Sequence, residues 1–191
     1  MKKLLAILLI VVLCFGLTAC GDGEYSLKAE INTYTNAAGT VSIDLIDKWI
    51  ASESVPEDTL DVTYRNGSIN VHIETLAKGE AAGVASDFES YAKYSRNNLE
   101  NSVLSTAKFT KEEIPVPEFV NKSTEETFII EDGDNKLNGI LVFMESDKCY
   151  YTVLIMAVDL AWNVNDDVLK ESISTIKEIS EVPTVETPEA E

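Results

Sequence analysis

Residues 60–73 restrict the folds open to this chain more than any other segment. Leu60, Val62 and Tyr64 alternate with Asp61 and Thr63, and Ile69, Val71 and Ile73 alternate with Ser68, Asn70, His72 and Glu74. A two-residue period places one apolar and one polar face on each strand, and Arg65-Asn66-Gly67 supplies turn chemistry between them. The segment therefore reads as an antiparallel hairpin, which the rest of the chain must cover.

Further strands follow from the same reasoning. Val41, Ile43 and Leu45 alternate with polar neighbours, and Trp49 comes four residues later. Residues 108–116 form another candidate, ending at Pro115 and Pro117. Residues 124–130, 136–145 and 149–158 read as a three-strand meander turning at Asp132-Gly133-Asp134-Asn135 and at Ser146-Asp147-Lys148. The third of these is nearly all apolar, as suits a central strand buried on both faces.

Helical spacing occurs twice. Ser86-Asp87-Phe88-Glu89 fits a capping box and predicts a helix from Ser86, with Val84, Phe88, Tyr91, Ala92, Ser95 and Leu99 on one face. Past Asp159, residues Val164, Val168, Leu169, Ile173, Ile176 and Ile179 predict a closing amphipathic helix. The order strands, helix, strands, helix, without a glycine-rich phosphate loop, implies an α+β fold: an antiparallel sheet with flanking helices.

The ends of the chain are of a different character. Lys2 and Lys3 precede an apolar stretch over residues 4–17, and Leu17-Thr18-Ala19-Cys20-Gly21 resembles a bacterial lipobox. Residues 1–19 are thus expected to be a lipoprotein signal peptide, with Cys20 diacylated after cleavage and the body held on the extracytoplasmic face of the cell membrane. Residues 20–32, polar and without clear period, are expected to be the lipidated cysteine and a tether. Residues 33–179 form the single α+β domain. Residues 180–191, with Pro183, Pro188 and repeated glutamates, are expected to be a disordered acidic tail.

Charge narrows the function classes. With 15 Lys+Arg against 33 Asp+Glu, the formal charge is −18. Such a body repels phosphate backbones, so no nucleic-acid partner is expected. Only one histidine and three cysteines are present, too few soft ligands for a common zinc site. Cys14 is expected to leave with the signal and Cys20 to carry lipid. Cys149 then remains without a disulfide partner, a small apolar residue inside a strand.

Tyr34 to Asn36, then Gly39 to Leu45, then Trp49, followed by a mid-chain helix, a three-strand meander and isoleucines around 172–176, resemble PsbP-like domains. The likeness covers roughly residues 33–179. The departure is at Ile46-Asp47, where the family usually has a proline before the tryptophan. The resemblance implies an α/β/α sandwich around an antiparallel sheet. The family includes an extrinsic photosynthetic subunit, a nuclear-transport cofactor that binds a small GTPase, and many bacterial lipoproteins of unknown role. None of these depends on a catalytic constellation, so the resemblance also implies a binding or assembly module.

Individual constellations add little chemistry. Asp134, Asn138, Gly139 and Glu145 match parts of a calcium loop, but Lys136 occupies a ligand position and both flanks read as strands, so a hairpin is expected. Glu131, Asp132 and Asp134 are the looser candidates for a hard cation. His72, beside Asn70 and Glu74, is expected at a surface or sheet-face position. Trp49, Trp162, Tyr64, Tyr150 and Tyr151 either pack the core or floor a pocket. No catalytic residue and no cofactor is assigned. The expectation is a non-enzymatic module docking on another envelope protein through a sheet face or an acidic loop. A small-ligand or metal-ion-binding lipoprotein is the alternative.

Overall fold

The computed structural model describes residues 25–27 and 30–179. The expected signal peptide, Cys20, most of the tether and the acidic tail lie outside the described residues.

Ten strands and two α-helices build three layers. The strands are β1 (Ile31–Thr35), β2 (Val41–Ile46), β3 (Trp49–Ala51), β4 (Thr59–Tyr64) and β5 (Ile69–Ala77), then β6 (Lys108–Lys111), β7 (Lys122–Asp132), β8 (Asn135–Glu145), β9 (Cys149–Val158) and β10 (Lys177–Glu178). Helix α1 spans Phe88–Glu100 and helix α2 spans Asp159–Ile173. Seven strands form the main sheet in the order β3-β4-β5-β9-β8-β7-β6, and β1-β2-β10 form a small second sheet. Every pairing is antiparallel.

The two faces of the main sheet feed separate cores. Val62, Ile73, Val142 and Ile155 pack with Ile43 and Leu45 of the small sheet and with Ala161, Leu169 and Ile173 of α2. On the other face, Phe128, Leu141, Phe143 and Leu154 pack under Phe88, Tyr91 and Leu99 of α1. Because side chains alternate along a strand, β8 and β9 must be apolar at nearly every position to serve both cores. That explains the continuous apolar run over 149–158, and β9 is the middle strand of the seven.

The hairpin over 60–73 forms as expected, with Val62 opposite Val71 and Gly67 at φ 74° in its turn. Gly139 has a different role. A Cβ built there would lie 2.3 Å from Phe128 Cζ and 2.4 Å from the Ile155 carbonyl oxygen, so only glycine lets the Phe128 ring cross the sheet.

Four expectations need correction. The helix cap is Asp87, one residue after Ser86: its carboxylate accepts from the Ser90 amide at 2.8 Å, and Ser90 Oγ accepts from the Asp87 amide at 3.1 Å. Residues 31–32, expected in the tether, belong to β1, which is paired along β2. Its exposed residues are Ile31, Thr33 and Thr35 and its half-buried ones are Asn32 and Tyr34, so its one aliphatic side chain faces outward and the usual apolar-in pattern is missing from the sequence. The closing helix ends at Ile173, where Ser172, Ser174 and Thr175 hydroxyls take up terminal carbonyls. The chain then buries Ile176 and adds β10 to the small sheet. Finally, Val164 lies outside the buried stripe of α2, which instead holds Asn165 and Ser172 with Ala161, Leu169 and Ile173.

Candidate functional site

The loose cation candidates are not brought together, and the turn is a strand hairpin. Asp132 and Asn135 close a tight hairpin with Gly133 at φ 59°. Asn138, Gly139 and Glu145 lie along β8, which runs straight away from that turn. At about 3.3 Å per residue, Glu145 is roughly 35 Å from Asp134. Lys136 pairs with Asp159 at 2.8 Å, and Glu145 with Lys78 at 2.8 Å. Of the looser trio, Glu131 is held by Lys108 at 2.6 Å, and that ammonium lowers its carboxyl from the ordinary value. Among the described residues no group of three or more His, Cys, Asp or Glu side chains could hold a metal ion.

His72 is on the sheet face, as one reading had it, but it is buried rather than at the surface. It lies opposite Asp61 across the β4–β5 pair, with Nδ1 at 3.3 Å from Asp61 Oδ2. A carboxylate offers only acceptors, so Nδ1 carries the hydrogen. Asn70 Nδ2 donates to the other carboxylate oxygen at 2.9 Å and reaches Thr63 Oγ1 at 3.1 Å. Asn70 Oδ1 and Ser68 Oγ are buried without a protein partner. Among the described residues, no hydroxyl or thiol is hydrogen-bonded to His72. The cluster has an imidazole oriented by Asp61 with no nucleophile hydrogen-bonded to it, and it ties two strands together.

The aromatics expected either to pack or to floor a pocket are packing residues. Trp49 and Tyr64 are tilted rings 5.4 Å apart, and Tyr150 stacks on Tyr91 at 4.7 Å. Trp162 has Lys170 at 5.8 Å from its ring centre. Cys149 is half-buried, and burial raises its thiol above the ordinary value, which keeps it from acting as a ready thiolate.

A concavity that no residue motif signalled lies beside α1. It has a volume of about 590 Å³, and its walls are Lys93 and Arg96 of α1, Lys111 at the end of β6 with Glu112 and Glu113 just beyond it, and Ser123, Thr124, Glu125 and Glu126 of β7. Arg96 is committed: it pairs with Glu100 at 2.7 Å and with Glu126, and lies 3.5 Å from the Phe109 ring centre. Lys93 and Lys111 have no ion-pair partner among the described residues.

The edge of β7 explains why a groove exists there. Pairing with β6 covers Glu126 to Ile129, and a last amide bond joins Glu112 to the Glu125 carbonyl at 3.4 Å. Beyond it the chain leaves the edge to bury Ile114 in the opposite core, while β7 continues back to Lys122. Residues 122–124, paired with β8 on their inner side, therefore present an outer edge with no strand partner among the described residues, walled on one side by a helix. Such an edge can accept an extended peptide by backbone hydrogen bonding. The sequence held no sign of it, because the groove arises from where β6 stops.

No protein-family model matches the sequence, and no curated protein matches it at a significant level. Solved structures do resemble it. The solution structure of cyanobacterial PsbP (CyanoP) from Synechocystis sp. PCC 6803 aligns with a TM-score of 0.54 at 10% identity, covering 85% of this chain and 99% of that one. A crystal structure from Bacteroides thetaiotaomicron VPI-5482 aligns with a TM-score of 0.49 at 11% identity over 78% of this chain. The chain spans about half (48%) of the length of that protein. The fold is thus α+β and PsbP-like.

Proposed function

We propose that this PsbP-like fold serves as a lipid-anchored, extracytoplasmic, non-enzymatic binding module, docking an extended segment of another envelope protein in the groove between α1 and the free edge of β7. The single observation that carries the docking site is the uncovered Lys122 to Thr124 edge lying beside a helix. Backbone pairing there supplies affinity, and Lys93 and Lys111, set among Glu112, Glu113, Glu125 and Glu126, give the groove a mixed charge for the incoming strand to match. The anchor rests on the Leu17-Thr18-Ala19-Cys20 sequence. Among the described residues no helix is long and apolar enough to cross a membrane.

The reading is tested by capture of the full chain from detergent extracts, comparing the native protein with a Lys93→Glu/Lys111→Glu variant. A protein retained by the first and lost from the second supports the groove. Equal retention by both places docking elsewhere. Mass spectrometry of the mature amino terminus tests the anchor separately: an acylated Cys20 is expected, and an unmodified cysteine would remove it.

A further inference from the structure

Among the described residues, two of the seven large hydrophobic side chains left exposed lie together on one flank of α2. Leu160 is 62% exposed and Val164 55%. They are four residues apart and so share a stripe with half-buried Val168. Val168 in turn lines an apolar cleft of about 200 Å³ between α2 and the small sheet, together with Leu27, Leu45, Ile46 and Ile31. Ile31, on β1, is 70% exposed. Leu160, Val164, Val168 and Ile31 thus border one continuous apolar strip.

The amino-terminal segment is fixed on the same helix. Asn165 of α2 accepts from the Leu27 amide at 3.0 Å and donates to the Tyr25 carbonyl at 2.6 Å. Tyr25 stands five residues after Cys20, a distance of at most roughly 18 Å when extended. The acyl chains would therefore enter a bilayer within about one and a half helix diameters of Tyr25, which is held on the helix that carries this strip.

We propose that the Leu160, Val164 and Ile31 flank lies against the lipid surface, so that the domain rests on the membrane in one orientation with α1 and the β7 groove turned away from it. This rests on the lipid anchor of the preceding section. The main sheet separates α1 from α2, so membrane contact through α2 leaves the groove open to a partner. Asp167 and Glu171 border the strip on the exposed side of α2 and repel anionic headgroups, which commits the contact to a zwitterionic surface.

The test is hydroxyl-radical footprinting of the full lipidated chain on phosphatidylcholine vesicles, against the Cys20→Ser chain free in solution. The expected result is oxidation of Leu160, Val164 and Ile31 slowed roughly threefold or more on vesicles, with Tyr94 of α1 unchanged. In a Leu160→Gln/Val164→Gln variant, whose changes are at exposed positions, the protection of Ile31 should disappear while the protein stays on the vesicles. Equal rates at all four residues in a vesicle-bound, acylated protein would overturn the orientation and leave the anchor standing. A chain that lacks acylation and remains in the supernatant would overturn both. Protection that appears in the soluble chain as its concentration rises would assign the strip to a second copy instead.

Discussion

Tyr151, in the central strand of the main sheet, donates its phenolic hydrogen to Glu178 of the small sheet at 2.6 Å. Ser146 donates to the same carboxylate oxygen at 2.6 Å, and Lys148 lies 3.7 Å from the other. Burial pushes the Glu178 carboxyl up, but these donors outweigh it and the net value is lowered. The last strand of the domain is therefore locked to the core by a charge.

A carboxyl lowered on folding stabilises the folded state fully above its unfolded value and loses that stabilisation as pH falls through its folded value. The domain should lose stability below about pH 4.5, and Glu178→Gln should be less stable at pH 7 while showing a shallower acid loss. Tyr151→Phe should cost about 1 to 2 kcal/mol. Urea unfolding of each protein from pH 3 to pH 7 measures both effects.

Asp47 is the only described residue other than glycine with positive φ, at 72°. Its carboxylate accepts from the Lys48 amide at 2.8 Å and from Tyr64 Oη at 3.0 Å, and its carbonyl accepts from Asn32 at 3.0 Å. The Lys48 amide leads the causes that lower its carboxyl. Proline, fixed near φ −65°, cannot adopt this backbone, which gives the departure from the PsbP-like pattern at Ile46-Asp47 a physical reason. Asp47→Ala should cost about 3 kcal/mol, Asp47→Gly less because strain is relieved, and Asp47→Asn least. Thermal unfolding that ranked the three differently would contradict this account.

Removing the Asp61 carboxylate strands the buried His72 Nδ1 donor and takes one acceptor from Asn70, whose amide keeps Thr63 Oγ1 and the Val62 carbonyl. Asp61→Ala should therefore cost about 2 to 4 kcal/mol, and the double change Asp61→Leu/His72→Leu distinctly less than the two single changes summed. Equilibrium denaturation of the four proteins completes the cycle, and strict additivity would count against the pair.

Gly139→Ala should be among the most damaging single-methyl additions in the domain, costing about 3 kcal/mol, because its Cβ would meet the Phe128 ring and a backbone carbonyl that cannot retreat. Shrinking the ring with Phe128→Leu in the same chain should recover part of the loss. No recovery would place the clash at the Ile155 carbonyl.

The sequence made legible those elements whose burial follows a simple period. The 60–73 hairpin and the meander over 124–158 were readable because one face, or both, is apolar. β1 was not, because Ile31 points outward and Asn32 and Tyr34 point in, held by hydrogen bonds to Asp47 and Trp49. The α2 stripe was misplaced by a similar cause: Asn165 and Ser172 are buried with their polar atoms satisfied, while Val164 is not buried at all. The groove beside α1 escaped sequence reading altogether. It depends on β6 being shorter than β7, a matter of register that no single residue records.

The docking proposal is tested most directly by photo-crosslinking in cells. A benzoyl-phenylalanine placed at Ser123 of the full chain lies on the free edge of β7, and one placed at Ile50 lies on β3, the opposite edge of the main sheet. The account predicts a discrete crosslinked envelope protein from position 123, lost in the Lys93→Glu/Lys111→Glu background, and none from position 50. No product from position 123, or the same products from both positions, would contradict it.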